Sequence, residues 1–263
     1  MIDRLLDLYR RYKPRKYGWS GNYKDWETAK SLCEGYDDKT ILDRIIQSTL
    51  RVKNGEYAWE LDGVNHQQIY YSWPLLAHLM MVAAKHDGHL ALIDFGGSLG
   101  TTYFQNRKYL NQLKKVNWTV VEQPHFVKAG RELLTFENLD FKETIDLAFK
   151  ENGKYTTFLM SGVLPYLDES YEFLNQLKCY GFETIIIDNT YYNNRESDRI
   201  CIQKVDPIFY GKEIAYQCRF LNYDKVMGIF LDKYELFQEY ETGIELYLDH
   251  KTIRYKSMVL DLK

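Results

Sequence analysis

The stretch Leu90-Ala91-Leu92-Ile93-Asp94-Phe95-Gly96-Gly97-Ser98-Leu99-Gly100-Thr101-Thr102 constrains the fold more than any other part of the chain. An apolar run ends in an acid, a turn of small residues follows, and 101–113 then reads as a helix. This is a strand–turn–helix unit, the building block of parallel α/β sheets. Glycines at 96, 97 and 100 let the backbone take left-handed conformations and approach a ligand closely. The free N–H groups at the start of the following helix favour a polar or anionic group. In the dinucleotide fingerprint G-x-G-x-x-G the discriminating acid lies at the end of the second strand. Here Asp94 ends the first strand, Glu122 ends the next, and the glycine spacing fails that fingerprint, which counts against a nicotinamide enzyme.

The unit repeats downstream. Strands are predicted over 91–95, 118–122, 139–141, 156–160 and 184–188, with helices over about 101–115, 124–134, 145–150 and 171–179. Pro124 suits the first turn of its helix and Gly181 the end of another. The run at 184–188 is continuously apolar and β-branched up to its acid, as in a strand buried on both faces. Such alternation predicts a parallel sheet with right-handed crossovers. It stops after Asp188. The segment 189–220 is polar and aromatic, and reads as a long loop at the carboxyl ends of the strands, where open α/β sheets bind ligands. A helix over 222–230 and strands over 234–242 and 252–260 close the chain.

Ahead of the sheet, 1–13 reads as an amphipathic helix with Ile2, Leu5, Leu6 and Tyr9 on one face, ended by Pro14. A compact loop at 18–23, helices over 26–35 and 39–54, an extended piece at 57–61 and a helix over 67–85 interrupted or kinked at Pro74 follow. His78, on a Leu/Met face, reads as a hydrogen-bonded core histidine rather than a catalyst. The expected organisation is an N-terminal helical cap over 1–88 and a sheet domain over 89–263, together one compact unit.

A net charge of −3 demands no strongly basic face, so no nucleic-acid partner is expected. Four scattered cysteines without a C-x-x-C pair point to free thiols in a reducing cytoplasm. The N-terminus interleaves charged and apolar residues, unlike a signal peptide, and the longest apolar region, 75–84, is far too short to span a bilayer. A cytoplasmic protein without membrane insertion is therefore expected. No H-E-x-x-H motif or His/Asp cluster is present, and no metal is assigned. The 23 tyrosines suit sugars and interfaces alike, since each ring offers flat contact area with a polar tip; a compositional bias of the genome would produce them equally well.

Asp94-Phe95-Gly96-Gly97-Ser98-Leu99-Gly100 resembles motif I of the class I S-adenosylmethionine-dependent methyltransferases. With Tyr103-Phe104-Gln105-Asn106, Val121-Glu122-Gln123-Pro124-His125-Phe126 and Ser161-Gly162-Val163-Leu164-Pro165-Tyr166-Leu167, the ordered set resembles a methyltransferase family associated with bacterial capsule and O-antigen gene clusters. The resemblance runs from about Trp19, in a W-x-G-x-Y element, to about Phe237. It implies an α/β, Rossmann-like fold: a seven-stranded, mostly parallel sheet with helices on both faces, preceded by the helical cap. It also implies that Gly96, Gly97, Ser98 and Gly100 wrap the amino-acid part of S-adenosylmethionine, with Asp94 supporting the turn. Glu122, with Gln123 beside it, would accept hydrogen bonds from the ribose hydroxyls. Asp140 would take the adenine amino group unless it is only a solvated turn acid, and Ser161 and Gly162 would face the carboxy-propyl arm. The spacing from Asp94 to Glu122 is long for this fold, and 114–117 is expected to absorb the excess as a loop.

The acceptor side is less determined. His125, Asp188 and Tyr166 are candidate catalytic groups. Tyr191, Arg195, Arg199 and Arg219 are candidates for holding the acceptor, the arginines because they pair bidentately with phosphate or carboxylate. The expected function is O-methylation of a sugar or nucleotide-linked precursor in capsular polysaccharide biosynthesis. Two alternatives stay open: a phosphate, phosphoramidate or amine acceptor, and a catalytically silent binder of the same fold. Homodimerisation through the N-terminal helices also stays open.

Overall fold

The protein is described by a computed structural model over residues 15–35, 39–134, 136–193 and 195–263. The amphipathic helix expected over 1–13 lies outside the described residues. Residues read as a compact loop form strand β1 (Gly18–Tyr23). Helix α1 (Trp26–Lys30) is shorter than expected and is capped by Asp25, whose side chain accepts from the Thr28 N–H at 2.8 Å. Helix α2 (Lys39–Lys53) buries Ile41, Leu42 and Ile45 along one face. Strands β2 (Trp59–Leu61) and β3 (Val64–His66) form a hairpin whose turn residues, Asp62 and Gly63, both have positive φ. An Asp-Gly pair is suited to that type of turn. Helix α3 (Trp73–Lys85) carries Pro74 in its first turn, where a missing N–H breaks no bond. The interruption or kink expected at Pro74 is thus the beginning of the helix, and 67–72 precede it.

The alternating core follows as β4 (His89–Phe95), α4 (Thr101–Leu110), β5 (Lys115–Val121), α5 (Pro124–Leu133), β6 (Leu139–Lys142), α6 (Ile145–Asn152), β7 (Thr157–Ser161), α7 (Ser170–Tyr180) and β8 (Thr184–Thr190). Left-handed Gly181 ends α7 as expected. Next come β9 (Tyr192–Asn193), β10 (Arg199–Val205), α8 (Pro207–Tyr210), β11 (Ile214–Asn222), α9 (Tyr223–Phe230), β12 (Tyr234–Leu248) and β13 (Lys251–Leu262).

Seven strands form the main sheet in the order β12-β13-β8-β7-β4-β5-β6. Neighbours from β8 to β6 are parallel, and β13 lies antiparallel between β8 and β12. The chain begins at β4, steps outward through β5 and β6, and returns to β7, so the strand order reverses between β4 and β7. Such a switch opens a crevice above the carboxyl ends of the strands. Residues Lys115–Asn117, expected as loop, extend β5 and pair with His89, Leu90 and Ala91. The extra spacing lengthens a strand rather than a loop.

Both sheet faces are covered. Leu92, Trp118, Leu159, Ile186 and Val259 pack against Leu79 and Val82 of α3, Tyr103 of α4 and Phe126 of α5. Ile93, Phe158, Ile185, Ile187 and Met258 face Leu174 and Leu177 of α7 and Val226 and Phe230 of α9. Ile185, Ile186 and Ile187 are fully buried, as their unbroken β-branched run implies.

The region 189–220 is not the expected loop. It folds into a second, four-stranded sheet, β1-β10-β11-β9. Here β10 is antiparallel to both β1 and β11, and β9 adds in parallel to β11. This sheet joins a strand from before the main sheet to three from after β8. Ile214, Tyr216, Cys218 and Phe220 alternate with Ala215, Gln217 and Arg219, a period of two that marks β11 in the sequence. All four cysteines are free thiols. No helix among the described residues is long and apolar enough to cross a membrane.

Candidate active site

The glycine turn leaves the end of β4 as Gly96 donates its N–H to Val121 O at 2.9 Å. Gly96, Ser98 and Gly100 all have positive φ. A Cβ at Gly96 would stand 2.5 Å from Val163 Cγ2, and one at Gly97 would collide with the Asp94 carboxylate. The turn therefore lies hard against its neighbours and requires glycine at both positions. Ser98 Oγ is buried without a hydrogen-bond partner. Asp94 is 1% exposed, and its Oδ2 accepts the Trp118 indole N–H at 3.0 Å. Burial pushes its carboxyl up to about 7 against the opposing effect of that indole, and the charges of Glu122 and Asp188 add to the rise.

Glu122 follows the last residue of β5, and its Oε2 accepts the Gln123 N–H at 2.7 Å. Ser161 ends β7 and donates from Oγ to Asp188 Oδ2 at 2.7 Å. Asp188 Oδ1 takes the Ser257 hydroxyl at 2.6 Å and the Tyr240 hydroxyl at 3.4 Å. Asp188 is buried, and both its oxygens are engaged by hydroxyls. Burial raises its carboxyl and these donors pull it back down.

A cavity of about 580 Å³ opens over these strand ends. That volume lies within the usual range of small-ligand sites. Asp94, Gly96, Gly97, Ser98, Glu122 and Gln123 line it at the β4 and β5 ends, with Ser161 and Gly162 beside them. Tyr166, Tyr191, Gln203, Tyr216 and Tyr255 line it under the second sheet. These aromatic groups pack on one another: Tyr166 meets Tyr216 with ring centres 5.3 Å apart, and Tyr191 meets Tyr255 at 5.1 Å. Tyr166 Oη donates to Gln203 Oε1 at 2.6 Å, and the Trp19 indole of β1 donates to Tyr191 Oη at 3.2 Å. Burial drives the phenols of Tyr166 and Tyr191 well above their ordinary range.

Other candidates lie away from the cavity lining. His125 packs on Phe126 at the start of α5, with ring centres 5.0 Å apart. Asp188 stands behind Ser161. Gly100 is the N-cap of α4 and packs on Leu139. Asp140 accepts from Lys142 Nζ and the Phe141 N–H, both at 2.7 Å, and from Asn152 at 2.8 Å. Burial opposes ionisation of Asp140, yet these donors hold its carboxyl below the usual value. Arg199 clamps Asp249 and donates from Nε to Gly21 O at 2.9 Å. Arg219 lies over the Trp26 ring at 5.3 Å. Arg195 is exposed, and its backbone N–H bonds Asn193. Among the described residues, no Lys, Arg or His lines the cavity. Asp62, Gln203, Tyr210, Tyr216 and Tyr255 also line it but were not singled out in the sequence. Asp62-Gly63 is itself a turn signal, and the alternation in β11 would have placed Tyr216 on a strand.

No protein-family profile matches the chain, and no curated protein matches it. Among solved structures, LepI in complex with SAM is similar over 100% of this chain and 63% of its own, with a TM-score of 0.52 and 14% identity. This chain has the class I methyltransferase fold. It spans less than two thirds of LepI. The N-terminal domain of EvdMO1 with SAH bound is similar at a TM-score of 0.49 and 12% identity, over 86% of this chain and all of that domain. The glycopeptide N-methyltransferase MtfA complexed with sinefungin is similar at 0.47 and 11%, over 72% of this chain and 86% of its own. Within the class I methyltransferase fold, the glycine turn after β4 and the acid after β5 stand over the switch point of the sheet.

Proposed function

We propose that the chain is an S-adenosylmethionine-dependent methyltransferase that O-methylates a sugar hydroxyl on a precursor of a bacterial surface polysaccharide. The observation that carries the cofactor is the pair Asp94 and Glu122 at adjacent strand ends, with a turn between β4 and α4 that admits no side chain at 96 or 97. The orphaned Ser98 hydroxyl and the close glycine cradle fit a polar group held against the backbone. Ser98 and the turn amides would hold the amino-acid end, and Glu122 would accept from the ribose hydroxyls. Asp94 would keep the turn in shape, and Ser161 and Gly162 would flank the cofactor's carboxy-propyl arm. When bound, the cofactor supplies a sulfonium-activated methyl group. The protein orients the acceptor in line with that methyl, excludes water and takes up a proton.

The sugar and the polysaccharide setting rest on the sequence resemblance, and the tyrosine-lined wall suits a sugar ring. A phosphate or phosphoramidate acceptor would need cations, and none of Arg195, Arg199 and Arg219 lines the cavity. Calorimetric titration with S-adenosylhomocysteine, with NAD as control, tests the cofactor. Saturable binding of the former alone is expected, with at least a tenfold loss in Glu122→Ala. Binding of NAD instead, or no binding by the folded protein, would overturn the reading. Methyl transfer to a glycoside separates the enzyme from a silent binder.

A further inference from the structure

We propose that the tyrosine-ringed end of the cavity takes an uncharged or amine-bearing acceptor and that Asp62 removes the proton from its nucleophile. The proposal rests on the methyltransferase reading and adds an acceptor class and a base to it. Four carboxylates line the cavity, Asp62, Asp94, Glu122 and Glu143, and among the described residues no cationic side chain does. An anionic acceptor would enter that field without a counter-charge. A hydroxyl or amine finds carboxylate, amide and phenol partners instead.

The position of Asp62 singles it out among the four. Asp94 is engaged by Trp118 behind the glycine turn. Glu122 closes on its neighbour's N–H beside that turn, and Glu143 follows β6 at the far edge of the sheet. Asp62 lies instead among the tyrosines: the Tyr210 hydroxyl bonds it, and Tyr216 and Tyr255 are near enough to feel its charge. Its accessible surface forms part of the cavity wall.

The hairpin that carries Asp62 is braced. The Gly63 N–H donates to Glu60 Oε2 at 3.3 Å, and Glu60 in turn accepts from the Thr101 hydroxyl at the start of α4. A Cβ at Gly63 would stand 2.9 Å from Phe209 O, so the turn also lies against α8. The acid is thereby tied to the helix that follows the glycine turn. Facing it are Tyr210, Tyr216 and Tyr255, with Glu60 on its own hairpin and the stem of Arg44 against Gly63. Asp62 is exposed towards the cavity, yet the protein packed around it desolvates its carboxyl and raises it above the ordinary value, which makes it a better base.

In the step, a lone pair on the acceptor oxygen or nitrogen forms the new bond to the methyl carbon. The carbon–sulfur bond breaks with its electrons going to sulfur, which leaves a neutral thioether. The acceptor proton passes to the Asp62 carboxylate and then to solvent.

The test uses the full chain with S-adenosylmethionine and three probe sets: methyl glycosides of glucose, galactose and mannose; glucosamine and galactosamine; and the hexose 1-phosphates. Formation of S-adenosylhomocysteine is followed by mass spectrometry. Turnover within the first two sets and none in the third is expected. Turnover of the phosphates, or none in any set while S-adenosylhomocysteine binds, overturns the acceptor class. Asp62→Asn, which tolerates the same turn, should bind S-adenosylhomocysteine within twofold of wild type. Its turnover should fall by a factor of roughly 10² to 10⁴, with Asp62→Glu recovering part of it. An Asp62→Asn protein of wild-type rate overturns the base. Failure of wild type to bind S-adenosylhomocysteine refutes the cofactor reading instead.

Discussion

The indole N–H of Trp118 on β5 donates to Asp94 Oδ2 on β4 at 3.0 Å, with both side chains buried. It is the hydrogen bond that holds the acid behind the glycine turn. Trp118→Phe keeps the aromatic packing and removes the donor. A destabilisation of about 1–3 kcal/mol is expected, since the buried carboxyl loses its partner. Urea unfolding measures it, and a variant as stable as wild type would show that the bond contributes nothing.

The raised carboxyls of Asp94 and Glu60, each pushed up to about 7 by burial, imply a pH dependence of stability. The folded state keeps protons there that the unfolded chain releases from about pH 4 upward. Their contribution is therefore greatest in acid, falls as pH rises to about 7, and is flat above. Asp94→Asn removes one share. Unfolding of the two proteins at pH 5 and pH 8 should show the variant gaining on wild type as pH rises, and a constant difference would refute the shift.

Two glycine substitutions should diverge. Gly97→Ala drives a methyl into the Asp94 carboxylate and should both lower stability and weaken S-adenosylhomocysteine binding at least tenfold. Gly228 lies on the exposed side of α9 with nothing within 4 Å of a Cβ, and Gly228→Ala should stabilise by roughly 0.5–1 kcal/mol with binding unchanged. Parallel thermal melts and titrations check the pair. Equal binding by both variants would remove the turn from the cofactor site.

Arg199→Ala tests whether that guanidinium serves structure or ligand. It bridges Asp249 and the Gly21 carbonyl, tying β10 to the β12–β13 turn and to β1. A loss of about 1–3 kcal/mol of stability is expected, because a charged hydrogen-bond donor leaves a largely buried site. S-adenosylhomocysteine affinity should stay within twofold. An unchanged melting curve with weakened binding would reverse the assignment.

The main sheet was legible because each of its features left a local mark. The apolar run into Asp94, the glycines after it, Pro124 at a helix start and the isoleucines of β8 depend on neighbours in sequence. The second sheet left weaker marks. Trp19 reaches Tyr191 only through a pairing between distant strands, and no local periodicity encodes that contact. β11 was an exception, since Ile214, Tyr216, Cys218 and Phe220 alternate openly, but the surrounding Asn, Arg and Asp residues read as loop. The contacts of the arginines were hidden for a related reason: Asp249 and Trp26, which Arg199 and Arg219 meet, lie far from them in the chain. Asp62 was overlooked because a turn acid is common, and only the packing of Tyr210 and Tyr216 about it distinguishes this one.

The pairing of Gly18 with Lys204 sets an order on how the protein is made. On a ribosome, β4 through β8 emerge before β10 exists, so the parallel strands beneath the glycine turn can assemble while β1 still lacks its partner. Closing so long a stretch of chain is entropically costly and belongs to the slower events of folding. The tyrosine chamber draws on Tyr191, Tyr216 and Tyr255, so it is complete only once β13 has followed, and a chain arrested before β10 has the glycine turn but no roof over the cavity.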